Sequence, residues 1–152
     1  MNKKGDIHKI YVDTNVIINY CTGVPEDVQA LNYIFQNREK EVLFTSSLSI
    51  VQTITNLQTK KKTRKAFSKQ ETIDKLNKIL VKFTILNLTM DDIYNGSQSD
   101  SEDIEDGIHY VLSQKKKCNA ILTNNVSDFA NFTSILKISP QMGLGQIKSL
   151  VN

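Results

Sequence analysis

Tryptophan is absent from the 152 residues, and cysteine, histidine and proline each occur only twice. Cys21 and Cys118 lie far apart, with no Cys-x-x-Cys spacing, which argues against a redox motif or a cysteine-rich zinc site. Two reduced, partly buried thiols are expected instead of a disulfide. His8 and His109 belong to no histidine cluster and to no Ser/His/Asp arrangement. Long apolar runs are missing as well, since Asn, Thr or Lys interrupts each after a few residues. No membrane span or secretory apolar region is therefore expected, and the protein is expected in the cytoplasm. No repeat or low-complexity tract is present.

The hydrophobic fraction of 39% in a chain of this length fits one domain with a core that needs no staples. We assign it to residues 1–140, with 141–152 (QMGLGQIKSLVN) as a C-terminal tail that carries too little pattern to place. Net charge is only +3, but it is unevenly spread. The run TKKKTRK holds Lys60, Lys61, Lys62, Arg64 and Lys65. Residues 91–114 contain Asp91, Asp92, Asp100, Glu102, Asp103, Glu105 and Asp106 and no Lys or Arg. Like charges at such density repel unless they are solvated or neutralised by a cation. Each run is equally readable as a solvated surface.

Apolar spacing alternates between two periods. Short β-branched or aromatic runs at Lys9 to Val12, Val42 to Thr45, Phe83 to Leu86, Asn119 to Leu122 and Ile135 to Ile138 predict five strands. Between them lie helical patterns. Val28, Leu31, Ile34 and Phe35 follow Pro25; Ile50, Val51, Ile54 and Leu57 follow a Ser46 or Ser47 cap; Ile73, Leu76, Ile79 and Leu80 follow Ser68; Ile104, Ile108, Val111 and Leu112 follow the acidic run. Strands joined through helices pair in parallel by right-handed crossovers. The fold class is thus an α/β three-layer sandwich, with a central parallel sheet of about five strands and helices on both faces.

In such sheets the functional crevice lies at the carboxyl ends of the strands, and Asp13 ends the first. Asp13 is equally readable as an N-cap of the following helix, where Thr14 and Asn15 can bond the turn. In SDSEDIEDGIHYVL, the spacing of Glu102, Asp103 and Asp106 puts them near one helix face, with Asp106 at the margin of the core. Gly107 lowers helix propensity there, which suggests close backbone approach. TNNVSDF adds Thr123, Asn124, Asn125 and Asp128 at the end of the fourth strand. Hard oxygen ligands without a Cys or His cluster suit Mg²⁺ or Mn²⁺. His109 is expected at the surface or behind the site, and Phe67 in the core.

VDTNV, the helical Glu105-Asp106 pair and TNNVSDF, in this order, resemble the PIN-domain family, including VapC-type toxin nucleases. The resemblance runs from about Ile10 to Ser139. It implies a PIN-like domain and a metal-dependent endoribonuclease that cleaves RNA phosphodiester bonds, with Mg²⁺ or Mn²⁺ as cofactor. It also implies frequent homodimers and, for the toxins, a small antitoxin partner. The first and third of the family's acids match Asp13 and Asp106. The second falls on Gln52 and the fourth on Asn125, so two charges are replaced by amides. Each amide keeps a carbonyl oxygen that can ligate metal or water but cannot serve as a base. Catalytic roles thus fall to Asp13, Asp106, Gln52 and Asn125, metal binding to Asp13 and Asp106, and phosphate contacts to Lys60, Lys61, Lys62, Arg64 and Lys65. The alternative is a degenerate PIN domain that binds RNA or a protein without cutting.

Overall fold

The computed structural model describes residues 8–152, so the first seven residues of the expected 1–140 domain lie outside the described residues. Strands β1 (Ile10–Val12), β2 (Leu43–Ser46), β3 (Thr84–Leu86), β4 (Ala120–Leu122) and β5 (Leu136–Ile138) form one parallel sheet in the order β3-β2-β1-β4-β5. The crossovers are helical. Helices α1 (Thr14–Thr22) and α2 (Pro25–Asn37) join β1 to β2, α3 (Ser47–Leu57) and α4 (Lys69–Leu80) join β2 to β3, and α5 (Met90–Ser97) and α6 (Ile104–Lys115) join β3 to β4. The chain order reverses at β1, between β2 and β4, so the crevice of the sheet opens at the carboxyl end of β1.

Successive strand side chains point to opposite faces. Ile10 and Val12 enter one core with Leu43, Ala120 and Leu122, under Val16, Ile17 and Cys21 of α1 and Leu31 and Ile34 of α2. Tyr11, Phe44 and Ile121 enter the other, with Ile108 and Leu112 of α6, Cys118, Phe129 and Phe132. Each fully buried aliphatic side chain stabilises the fold by about 1.5–3 kcal/mol. The C-terminal residues also reach the core: α7 (Leu144–Val151) buries Ile147, Leu150 and Val151 in the first core. Both thiols are buried, which pushes Cys21 up to about 11 and Cys118 up to about 12.

Local signals place most helix starts. Ser68 and Glu71 close a capping box on α4, and Thr89 and Asp92 close one on α5. Helix α3 starts at its Ser46 cap but buries a different face from the one its apolar spacing predicts. Of Ile50, Val51, Ile54 and Leu57 only Leu57 is buried, and Val51 is 60% exposed. The buried stripe is Ser49, Thr53 and Leu57. Hydroxyls suit this face because each finds a partner: Ser49 Oγ lies 3.1 Å from Thr14 Oγ1, and Thr53 donates to the Ser49 carbonyl at 2.7 Å. Helix α6 likewise exposes Ile104, its first residue, and buries Ile108 and Leu112.

The close approach suggested by Gly107 is present. A Cβ on Gly107 would collide with the Gly96 carbonyl and with Ser99 Oγ, and one on Gly96 would lie 2.7 Å from the Ile108 Cα. Two glycines thus let α5 and α6 touch through their backbones.

Candidate active site

The end of β1 carries the first acid. The Asp13 N–H donates to the Leu122 carbonyl at 2.9 Å, which extends the pairing with β4 by one bond beyond the strand. The side chain then turns to cap α1, with Oδ1 accepting from the Thr14 N–H at 2.8 Å. Oδ2 accepts from the Thr123 hydroxyl at 2.8 Å and the Asn15 amide at 3.0 Å. Asp13 is therefore a helix cap and also lines a cleft.

This cleft, about 620 Å³ in volume, brings together Asp13, Gln52, Asp106, Asn125 and Lys61, along with Glu105 and His109. Helix α6 supplies Glu105, Asp106 and His109, and α3 supplies Gln52. The loop after β4 supplies Asn125, whose N–H donates to the Thr123 hydroxyl at 3.0 Å. Burial, then the carboxylates of Asp103, Asp128, Asp13 and Glu105, push the Asp106 carboxyl up to about 7. So much uncompensated negative charge favours a cation, and the donors are hard oxygens suited to Mg²⁺ or Mn²⁺. Among the described residues, no three His, Cys, Asp or Glu side chains converge tightly enough to chelate one directly. A cation here would be held by Asp13 and Asp106 and keep several waters, as Mg²⁺ tolerates.

Glu102, Asp103 and Asp128 lie on the other side of Asp106. They line a separate hollow of about 410 Å³, shared with the cleft only through Asp106. Asp103 caps α6 by accepting from the Asp106 N–H at 3.1 Å.

His109 is buried behind the site, only 2% exposed. Its Nδ1 lies 2.7 Å from the Tyr11 hydroxyl and its Nε2 3.0 Å from Gln52 Oε1. Burial holds its pKa below the ordinary histidine value against the opposing pull of Asp13, Glu105 and Asp103, so the ring is neutral near pH 7. Gln52 bridges His109 and Glu105. Its Oε1 points inward, accepting from Thr14 at 2.7 Å, while its Nε2 donates to Glu105 at 2.9 Å.

The basic run folds back as a tight turn, with Lys61 and Arg64 paired across it. Lys60, Lys61, Lys62, Arg64 and Lys65 surround a hollow of about 270 Å³, and Lys61 also lines the cleft. Arg64 differs from the four lysines. Its guanidinium donates to the Leu57, Asn56 and Lys65 carbonyls and to Asn56 Oδ1, so it closes the C-terminus of α3. It also lies 5.1 Å from the centre of the Phe67 ring, which packs against the core.

One supporting residue left no recognisable trace in the sequence. Asp27, fully buried in the first turn of α2, accepts from the amides of Asn124 at 2.6 Å, Gln141 at 2.9 Å and Asn19 at 3.3 Å. The Asn124 N–H in turn donates to Asn15 Oδ1 at 3.0 Å, and Asn15 holds Asp13. Asp27 in isolation reads as an ordinary acidic first turn, because its partners come from three distant segments.

No family model and no curated protein matches the sequence. Solved structures do match. A chain of VapBC2 from Rickettsia felis, bound to a DNA fragment from their promoter, superposes with a TM-score of 0.62 at 14% identity, over 86% of this chain and 98% of that one. A toxin–antitoxin complex from Klebsiella pneumoniae gives 0.63 at 19% identity, over 86% and 97%. The sarcin-ricin loop cleaving toxin VapC20 of Mycobacterium tuberculosis gives 0.60 at 15%, over 80% and 95%. At these identities the likeness speaks for the fold, and the chain has the PIN-domain, VapC-like fold that its three motifs resemble.

Proposed function

We propose that the chain is a PIN-type, Mg²⁺- or Mn²⁺-dependent endoribonuclease acting as a VapC-like toxin in the cytoplasm. The observation that carries this reading is the convergence of Asp13 and Asp106 on one cleft at the carboxyl end of β1, with Lys61 on the same cleft. Asp13 and Asp106 would hold the cation, which when bound polarises a phosphoryl oxygen and acidifies a water for in-line attack. Thr123, Asn15 and the Thr14 N–H fix the Asp13 carboxylate before any ligand arrives. The lysines of the turn would draw the RNA backbone to the cleft through sequence-independent phosphate contacts. A small antitoxin is the partner that the toxin–antitoxin complex among the structural neighbours suggests, and a second copy of the chain is the one that the family resemblance implies.

RNA cleavage with Mn²⁺, and Mn²⁺ titration, comparing the wild type with Asp13→Asn, test the proposal. Because even residues supporting metal ligands cost 10–100-fold, loss of this carboxylate should cost at least ~100-fold in both. Equal cleavage by the two proteins would overturn it. A second reading, RNA binding without cleavage, is favoured by the neutral Gln52 and Asn125 and by the absence of three converging ligands among the described residues. Tight RNA binding by a wild type that does not cleave with either metal would establish it.

A further inference from the structure

The two ends of the Gln52 amide are told apart by their partners. Glu105 Oε2 accepts from one end at 2.9 Å. That end is therefore the NH₂. The oxygen faces inward to the Thr14 hydroxyl at 2.7 Å and His109 Nε2 at 3.0 Å. Facing that oxygen, His109 Nε2 donates, which leaves Nδ1 to accept from the Tyr11 hydroxyl at 2.7 Å. A reversed amide would set its oxygen against the Glu105 carboxylate. A hydrogen-bonded chain from the interior of the sheet thus fixes which atoms Gln52 presents to the cleft.

We propose that Gln52 is a substrate-binding residue whose side-chain NH₂ donates to a phosphate oxygen of the nucleic-acid strand in the cleft, a donor that Glu105 occupies in this structure. The assignment rests on the function proposed above and specifies it further. Its oxygen already accepts two hydrogen bonds, from Thr14 and His109. Its NH₂ already meets an anion, the Glu105 carboxylate, and Lys61 lines the same cleft. Glu105 is exposed, so a change of rotamer releases the donor. Gln52 therefore binds substrate where the sequence pattern would put a metal ligand.

The test separates strand binding from metal binding, using labelled oligouridylate without metal, Mn²⁺ calorimetry and a thermal melt. Gln52→Met removes the donor without adding charge. It should weaken oligouridylate binding about 10- to 100-fold, the range for a hydrogen bond to a charged group, and leave Mn²⁺ affinity within about 2-fold. Gln52→Glu keeps an acceptor for Thr14 and His109, so it preserves the interior chain if the methionine variant fails to fold, and it should lose strand binding too. Glu105→Gln should tighten strand binding by removing the competing carboxylate. Loss of Mn²⁺ affinity in Gln52→Met would make the residue a metal ligand and overturn the assignment. So would strand binding unchanged in both Gln52 variants. A wild type that binds no oligouridylate would instead overturn the nucleic-acid reading of the cleft, and this assignment with it.

Discussion

Replacing Gly107 by Ala should destabilise the protein although it improves helix propensity. Inside a helix Ala is favoured over Gly by about 0.8–1.0 kcal/mol. Gly145 of α7 is the internal control, since a Cβ there would meet nothing within 4 Å, and Gly145→Ala should gain up to about 1 kcal/mol. At Gly107 the new methyl would run into the Gly96 carbonyl and Ser99 Oγ, which are themselves hydrogen-bonded at 2.7 Å. A backbone oxygen cannot swing aside, so α5 and α6 must separate. Overpacking of this kind costs about 1–3 kcal/mol, and loss of the Ser99 bond adds about 1. Subtracting the propensity gain leaves a net loss of about 1–3 kcal/mol. At about 2–4 °C per kcal/mol for a domain of this size, Tm should fall by roughly 2–12 °C. Calorimetric melts of the wild type, Gly107→Ala and Gly145→Ala would measure it. A Gly107→Ala protein melting at or above the wild type would refute the claim that the α5–α6 contact requires glycine. Because Asp106 precedes Gly107, the same substitution should also weaken Mn²⁺ binding.

Asp27→Leu leaves the amides of Asn19, Asn124 and Gln141 without their acceptor and should cost about 2–5 kcal/mol by urea unfolding, whereas Asp27→Asn should cost much less. Burial raises the Asp27 pKa above its ordinary value, so its proton is held more tightly folded than unfolded. Relative to Asp27→Asn, the wild type should therefore gain stability as pH falls through the folded pKa toward the unfolded value of about 3.9, and equal pH dependence would contradict this. Within the basic turn, changing Lys60, Lys61, Lys62 and Lys65 to Gln should flatten the salt dependence of RNA binding and leave Tm nearly unchanged. Arg64→Gln should chiefly lower Tm, by roughly 2–8 °C, because its donors close α3. A reversed pattern between the two variants would mean that the roles within the turn are misassigned.

What the sequence discloses follows the range of the interaction. Strand alternation, the Ser68 cap and the Asp13 cap involve residues within a few positions of one another, and all are legible. The parallel pairing of the strands follows from crossover rules, which are nearly invariant. Ser49 and Thr53 mislead because hydroxyls look like surface until their partners on α1 and α3 are known. At Gln52 the residue type fixes which atoms exist, whereas Glu105, from another helix, takes up its NH₂. Helix α7 is too short for its period to stand out, and it becomes a helix by packing on the first core.

The two cysteines lie in different cores, Cys21 in the one beneath α1 and α2 and Cys118 in the one beneath α6. Neither thiol has appreciable thiolate near neutral pH, so an alkylating reagent can reach and react with each only when its own side of the sheet opens. The protein thus carries two native reporters, one per layer. Mass-resolved alkylation rates would show whether ligands at the carboxyl edge of the sheet quiet both layers together or only the α5–α6 side.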